Sequence, residues 1–220
     1  MKEGIVKDTR AIKAGSAFFV LFLIFTVLAK KCDLGPIGFG GAMVGFSHIN
    51  GAFNRAFPSC GICFKVTELL GYLCLLVAAF YAFLALVSLI KAKSLSKMDK
   101  DLLVTMFLYA VVVFFYVLFN KVVINVRPNE LEASYPSSHT MLAVCVLYSA
   151  YYLLGKAVKI NQTTVSILKV LCLVAMGAMV VLRLISGVHW LTDIIGALIL
   201  SASLLLFYRG FLDGTDKKTV

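Results

Sequence analysis

Charge is scarce in this chain: Asp, Glu, Lys and Arg make up 15% of its 220 residues, and the acidic ones number only 11. Soluble domains carry about a quarter. With 61% hydrophobic residues and a mean hydropathy of +0.95, the composition excludes an ordinary soluble protein and describes an integral membrane one. No internal repeat, low-complexity stretch or soluble module interrupts the pattern, so residues 1–220 read as one domain. A small-residue cleavage site is also missing after the first apolar run. Lys30, Lys31 and Cys32 stand there instead, which excludes a cleaved secretory signal and leaves a retained helix. Cys60-Gly-Ile-Cys63 has no second pair to complete a zinc site and no thioredoxin-like setting. Structural thiols or a local disulfide are expected there. Cys74, Cys145 and Cys172 fall inside apolar runs, where cysteine acts as a small hydrophobe.

What is present is a series of runs near the ~20 residues needed to cross a bilayer. They lie at Ala14 to Ala29, Val66 to Ile90, Leu102 to Phe119, Thr140 to Leu154, Val165 to Leu182 and Trp190 to Tyr208. The expectation is an all-α, six-helix membrane bundle whose fourth span is the shortest. Between the first two spans, Gly35, Gly38, Gly40, Gly41 and Gly45 precede Phe46, Ile49, Phe53 and Phe57 at roughly helical spacing. This predicts a short amphipathic helix on the outer leaflet, as a lid or lipid entrance, with a loop packed on the bundle as the alternative.

A net charge of +10 raises nucleic acid as a partner, and the distribution of the charge excludes it. With a cytoplasmic N-terminus, Lys2, Lys7, Arg10 and Lys13, then Lys91, Lys93, Lys97 and Lys100, then Lys156 and Lys159, then Arg209, Lys217 and Lys218 all fall inside. The positive-inside rule selects this orientation, with both tails cytoplasmic. Three polar clusters then fall together on the extracytoplasmic face: Lys121 to Pro128, Tyr135 to His139, and Arg183 to Asp193.

Charge beside lipid is costly and marks function. His189 and Asp193 are four apart, so they share one face at the start of the sixth span. The carboxylate can hold one imidazole nitrogen as N–H, leaving the other as a nucleophile. Arg127 and Arg183 offer planar forks for phosphate oxygens, and Lys121 adds a point charge. Ser137 and Ser138 precede a helix, where hydroxyls and free N–H groups seat an anion, and His139 is placed to protonate a leaving alkoxide. Four other charged or polar residues have ordinary readings: His48 as an interfacial residue, Lys65 and Glu68 as an interfacial ion pair, and Lys169 as a lysine snorkelling inward.

These clusters resemble the signature of the type 2 phosphatidic acid phosphatase (PAP2) superfamily: K-x6-R-P, then P-S-G-H, then S-R-x5-H-x3-D. The resemblance implies a six-helix membrane fold with an outward-facing site and no metal or cofactor. It implies His189 as nucleophile, Asp193 as its orienting partner and His139 as general acid. Lys121, Arg127, Ser137, Ser138 and Arg183 would bind phosphate. Three positions depart from the pattern. Lys121 is one residue closer to Arg127, with Asn120 at the expected place; Ser138 replaces glycine; and Leu182 replaces the serine before Arg183.

The expected activity is hydrolysis of a lipid phosphate or pyrophosphate at the outer leaflet of the cell membrane through a phosphohistidine. Undecaprenyl pyrophosphate, phosphatidic acid and phosphatidylglycerol phosphate are the candidate substrates. A lipid phosphotransferase using the same histidine, or a non-catalytic lipid-phosphate binder or transporter, are the alternatives. The spacing says nothing about oligomeric state.

Overall fold

The computed structural model describes residues 8–57, 59–157 and 160–212. The two tails assigned to the cytoplasm, with Lys2, Lys7, Lys217 and Lys218, lie outside the described residues, as does Lys159. The described residues form α-helices joined by turns, with no β-strand: α1 (Thr9–Lys31), α2 (Ser47–Ala56), α3 (Gly61–Ala92), α4 (Lys100–Lys121), α5 (Ser138–Leu153), α6 (Gln162–Ile185) and α7 (Leu191–Phe211). Local sequence sets their starts. Asp8, Asp99, Ser137 and Asn161 each accept a backbone N–H of the first turn of α1, α4, α5 and α6. At the other end of α1, Lys30 and Lys31 sit where the helix dipole favours cations.

Five helices, α1, α3, α4, α6 and α7, are long and apolar enough to cross a membrane. The run at Thr140 forms α5, whose 16 residues extend about 24 Å at 1.5 Å per residue. That is shorter than a ~30 Å hydrocarbon core. Its environment accounts for the length, because α3, α4, α6 and α7 all pack on it and it faces protein where α1, α3, α4 and α6 face largely outward. Small residues, Ala143, Cys145, Ser149 and Ala150, let those neighbours approach closely, and all of them are buried.

The helices alternate in direction, and specific hydrogen bonds fix which ends meet. The Asp8 N–H donates to the Gly210 carbonyl at 3.1 Å, so α1 starts where α7 finishes. Lys30 Nζ donates to the carbonyls of Val123 (2.9 Å) and Ile124 (3.1 Å), joining the end of α1 to the end of α4. The Cys60 N–H reaches the Ile185 carbonyl at 3.3 Å, joining α3's start to α6's end. The starts of α5 and α7 are tied by the Ser137 N–H donating to the Asp193 carbonyl at 3.1 Å. All three polar clusters therefore gather at one end of the bundle.

The amphipathic segment does form a helix, α2, and it is docked on the bundle through a polar face. Asn50, 1% exposed, donates to the Gly45 carbonyl (2.8 Å) and to Thr192 Oγ1 (2.9 Å) and accepts the Thr192 N–H (3.2 Å). Ile49 and Phe57 point outward. Cys60 and Cys63 are joined as a disulfide at the start of α3. His48, read as an ordinary interfacial residue, is exposed and paired with Asp33. Lys169 lies 5.1 Å from the centroid of the Tyr151 ring.

Gly45 marks the closest backbone approach, because a Cβ there would stand 1.9 Å from the Ala29 carbonyl oxygen. Gly45→Ala is expected to lower stability by about 1–3 kcal/mol through overpacking, read as a lower thermal midpoint in detergent. Gly177→Ala, where nothing lies within 4 Å of the added carbon, is expected to leave it unchanged or slightly higher.

Candidate active site

Two backbone links bring the motifs together. The Trp190 indole Nε1 donates to the Val126 carbonyl at 2.7 Å, holding the residue before Arg127 against the residue after His189. The Ser137–Asp193 bond described above does the same for the second and third motifs. At the head of α7, the Asp193 carboxylate accepts the Trp190 N–H at 2.9 Å, which fixes the carboxylate by the helix's own first turn.

A cavity of about 150 Å³ opens at this end, lined by Arg127, Ser138, His139 and His189 together with Asn120 and Tyr135. It holds roughly five waters' worth of liquid volume. His189 is 5% exposed, and its Nδ1 lies 3.5 Å from Asp193 Oδ2, an ion-pair separation longer than a hydrogen bond. Burial pushes the His189 imidazole below its ordinary value, against an upward pull from Asp193 and with the nearby Arg183 and Arg127 guanidinium groups adding to the fall. That burial favours the neutral ring, which has a lone pair to offer.

His139, on the first turn of α5, stands between two charged groups. Arg183 Nη2 is 3.2 Å from its Nδ1, and Glu68 Oε1 is 3.2 Å from its Nε2. A guanidinium only donates, so Nδ1 accepts and the ring proton sits at Nε2, facing the carboxylate. Arg183 is 1% exposed, and its Nη1 also donates to Glu68 Oε1 (2.8 Å) and Thr67 Oγ1 (3.2 Å). It is no snorkelling anchor. Arg127 pairs with Glu130 and, at 3.5 Å, with Glu132.

A second cavity of about 400 Å³ lies between α3 and α4 over the start of α5. Its walls are largely apolar: Leu75, Val112, Val113 and Leu142 contribute, with Glu68 at its polar end. It shares Tyr116, Ser138, His139 and Met141 with the smaller cavity. His139 and Ser138 therefore sit at the junction of a polar chamber and an apolar one.

Not every expected residue joins this group. Lys121 ends α4 with its side chain exposed, and Asn120 lines the cavity in its stead. Ser137 is buried and its hydroxyl is engaged in capping α5, accepting from Thr140 Oγ1 at 3.0 Å, so it does not line the chamber. Glu68 was read as the partner of Lys65, and here the structure corrects the reading: among the described residues its ion-pair partners are Arg183 and His139. A carboxylate two residues inside an apolar run was the signal for it.

The family model for the PAP2 superfamily matches residues 105–214. A crystal structure of a transmembrane PAP2-type phosphatidylglycerolphosphate phosphatase from Bacillus subtilis is similar in fold, with a TM-score of 0.62 and 19% identity over 94% of this chain and 97% of that one. No curated protein matches the chain.

The His139 ring is seated against Gly71 of α3, where a Cβ would come within 2.8 Å of its Cδ2. Gly71→Ala is expected to push the imidazole off its place between Glu68 and Arg183, seen as a change in its ¹⁵N ring resonances. Gly61→Ala, with nothing within 4 Å of the added carbon, is expected to leave them unmoved.

Proposed function

Because the chain belongs to the PAP2 superfamily, we propose that it is a membrane phosphatase hydrolysing lipid phosphates or pyrophosphates through a phosphohistidine on His189. The observation that carries the reading is the pair of cavities meeting at Ser138 and His139. In-line phosphoryl transfer needs a nucleophile and a leaving oxygen on opposite sides of phosphorus. A lipid whose tail fills the apolar cavity presents its phosphate at the junction, with His189 in the polar chamber on the far side. The leaving oxygen, bonded to the tail, then lies beside His139.

The steps follow from the side chains. Asp193 faces His189 Nδ1, so the proton belongs on that nitrogen and Nε2 carries the attacking lone pair. Arg183 turns from His139 Nδ1 to the phosphate, and that nitrogen takes a proton from solvent. The N–P bond forms as the P–O bond to the lipid breaks, and His139 as imidazolium delivers a proton to the departing oxygen and returns to the neutral ring. Water then attacks the phosphohistidine, releasing inorganic phosphate. Arg127 and Arg183 hold the equatorial oxygens, Ser138 adds a donor at the head of α5, and Ser137 contributes by shaping that helix start. Lys121, exposed at the end of α4, supplies a longer-range charge at the rim. The phosphotransferase alternative differs only in the acceptor that replaces water.

In this reading α1 and α3 to α7 form the six crossing helices, with α5 enclosed by its neighbours, and α2 lies at the membrane surface with Ile49 and Phe57 towards lipid. The motif end faces the extracytoplasmic side of the cell membrane, as the lysines of the opposite end require. No step draws on a metal, so activity is expected to persist in EDTA. Phosphatidic acid, phosphatidylglycerol phosphate and undecaprenyl pyrophosphate all present the same anionic group, and a panel of these lipids separates them.

His189→Ala is expected to cut phosphate release from the preferred lipid by roughly 10³-fold or more. Full activity in that variant, in EDTA-treated protein that is folded by thermal melting, removes the mechanism. The pH profile supplies a second measurement. With His189 held below the ordinary imidazole value by burial, the acid limb of kcat/KM is expected below pH ~6.5. Asp193→Asn removes the group that raises it, so the limb of the residual activity moves further towards acid. A shift towards base refutes the assignment of that limb to His189.

A further inference from the structure

Both guanidinium groups assigned to phosphate already hold carboxylates of their own chain: Arg127 has Glu130 and Glu132, and Arg183 has Glu68. The Glu68 contact is the more telling. A single oxygen, Oε1, takes the Nη1 donor of Arg183 at 2.8 Å and faces the Nε2 proton of His139 at 3.2 Å. Those are the two donors that a phosphoryl group at the cavity junction needs. Arg183 is 1% exposed, and a buried cation without a counter-charge is strongly destabilising, so some anion has to stand there at all times.

We propose that Glu68 is an internal stand-in for the substrate's phosphate: it neutralises Arg183 and caps His139 in the empty enzyme, and the incoming phosphoryl group displaces it. The proposal rests on the function argued above for the site, and it adds a residue that sets specificity. Glu68 sits at the polar end of the apolar cavity with its side chain 31% exposed, so it has a path outward along α3 when displaced. Displacement costs one Arg–carboxylate bond and is offset by the new Arg–phosphate bonds together with burial of the lipid tail in the 400 Å³ cavity. A phosphate without a tail lacks that second contribution. Glu68 therefore weakens the hold on inorganic phosphate and on soluble phosphate esters, which favours lipid substrates and speeds product departure. Thr67, whose Oγ1 accepts from the same Nη1, keeps the guanidinium in place while the carboxylate leaves.

The test compares full-length wild type with Glu68→Gln in detergent, using orthovanadate and inorganic phosphate as probes. Glu68→Gln keeps an acceptor oxygen and removes the charge. In the absence of anion its thermal midpoint is expected to fall, and addition of orthovanadate is expected to raise it by more than it raises wild type. The inhibition constant for inorganic phosphate is expected to drop at least about fivefold, as loss of a competing charge predicts, and the preference for a lipid over a soluble phosphate ester to shrink in step. A residue that only braced the bundle would lower the midpoint without enlarging the anion-induced increment. An unchanged or smaller increment, or weaker phosphate binding, overturns the proposal. Should Glu68→Gln fail to fold, a structure of the wild type with vanadate decides: Glu68 Oε1 is expected beyond hydrogen-bonding distance of Arg183, and retention of that bond with vanadate in place overturns it. Tighter vanadate binding without lipid hydrolysis by wild type would retain this inference and remove the phosphatase reading, whereas hydrolysis without tighter binding would do the reverse.

Discussion

A guanidinium almost wholly shielded from solvent inside a largely apolar bundle is the constraint around which this protein is arranged. Arg183 can exist there only because acceptors from two neighbouring helices converge on it: Glu68 and Thr67 from α3, and His139 from α5. Those contacts dictate where α3, α5 and α6 cross. They also explain Gly71, since α3 must come close enough for Glu68 to reach Arg183 and a side chain at 71 would collide with the His139 ring. Packing and chemistry are thus the same set of atoms at this end of the molecule. In low dielectric an imperfect pairing is expensive, which makes the geometry well defined.

The remaining precision comes from the head of α7. Asp193 faces His189, accepts the Trp190 N–H through its carboxylate, and accepts the Ser137 N–H through its carbonyl, so one residue links the His189 ring, the helix start and the head of α5. Trp190 extends the frame to the Arg127 loop through the Val126 carbonyl. Tyr135 closes it from beneath: its ring lies over Gly196, where a Cβ would come within 2.5 Å, and its hydroxyl is 2.9 Å from Thr26 Oγ1 of α1.

Much of this was legible in the chain because charge in an apolar context is conspicuous. Arg183, His189 and Asp193 announce themselves by spacing, and Arg127 and His139 by their proline-flanked motifs; the structure brings Arg127, Ser138, His139 and His189 to one cavity. The helical class and the apolar runs were legible for the same reason. Residue type alone could not choose between Lys121 and Asn120, since one residue of helix turns a side chain by about 100°, and the one that lines the cavity is Asn120. Ser137 was read as part of an anion seat ahead of a helix, and only the fold shows its hydroxyl buried and engaged with Thr140 at the head of α5. Glu68 was misassigned because sequence spacing favours a neighbour three residues away over a partner 115 residues distant. Local periodicity cannot report a pairing that only the tertiary arrangement creates.

The pairing of α1 with α7 is the most extensive between any two helices, and it has a consequence for biogenesis. Their contact runs from the Asp8–Gly210 bond through the Ser203 hydroxyl on the Gly15 carbonyl, 188 residues away, so two helices far apart in sequence are mates. Until α7 has been made, the α7-facing side of α1 lacks the partner it has in the finished bundle. The α1–α7 pairing forms only after α7 has been made, and the His189 turn arrives with the segment that completes it.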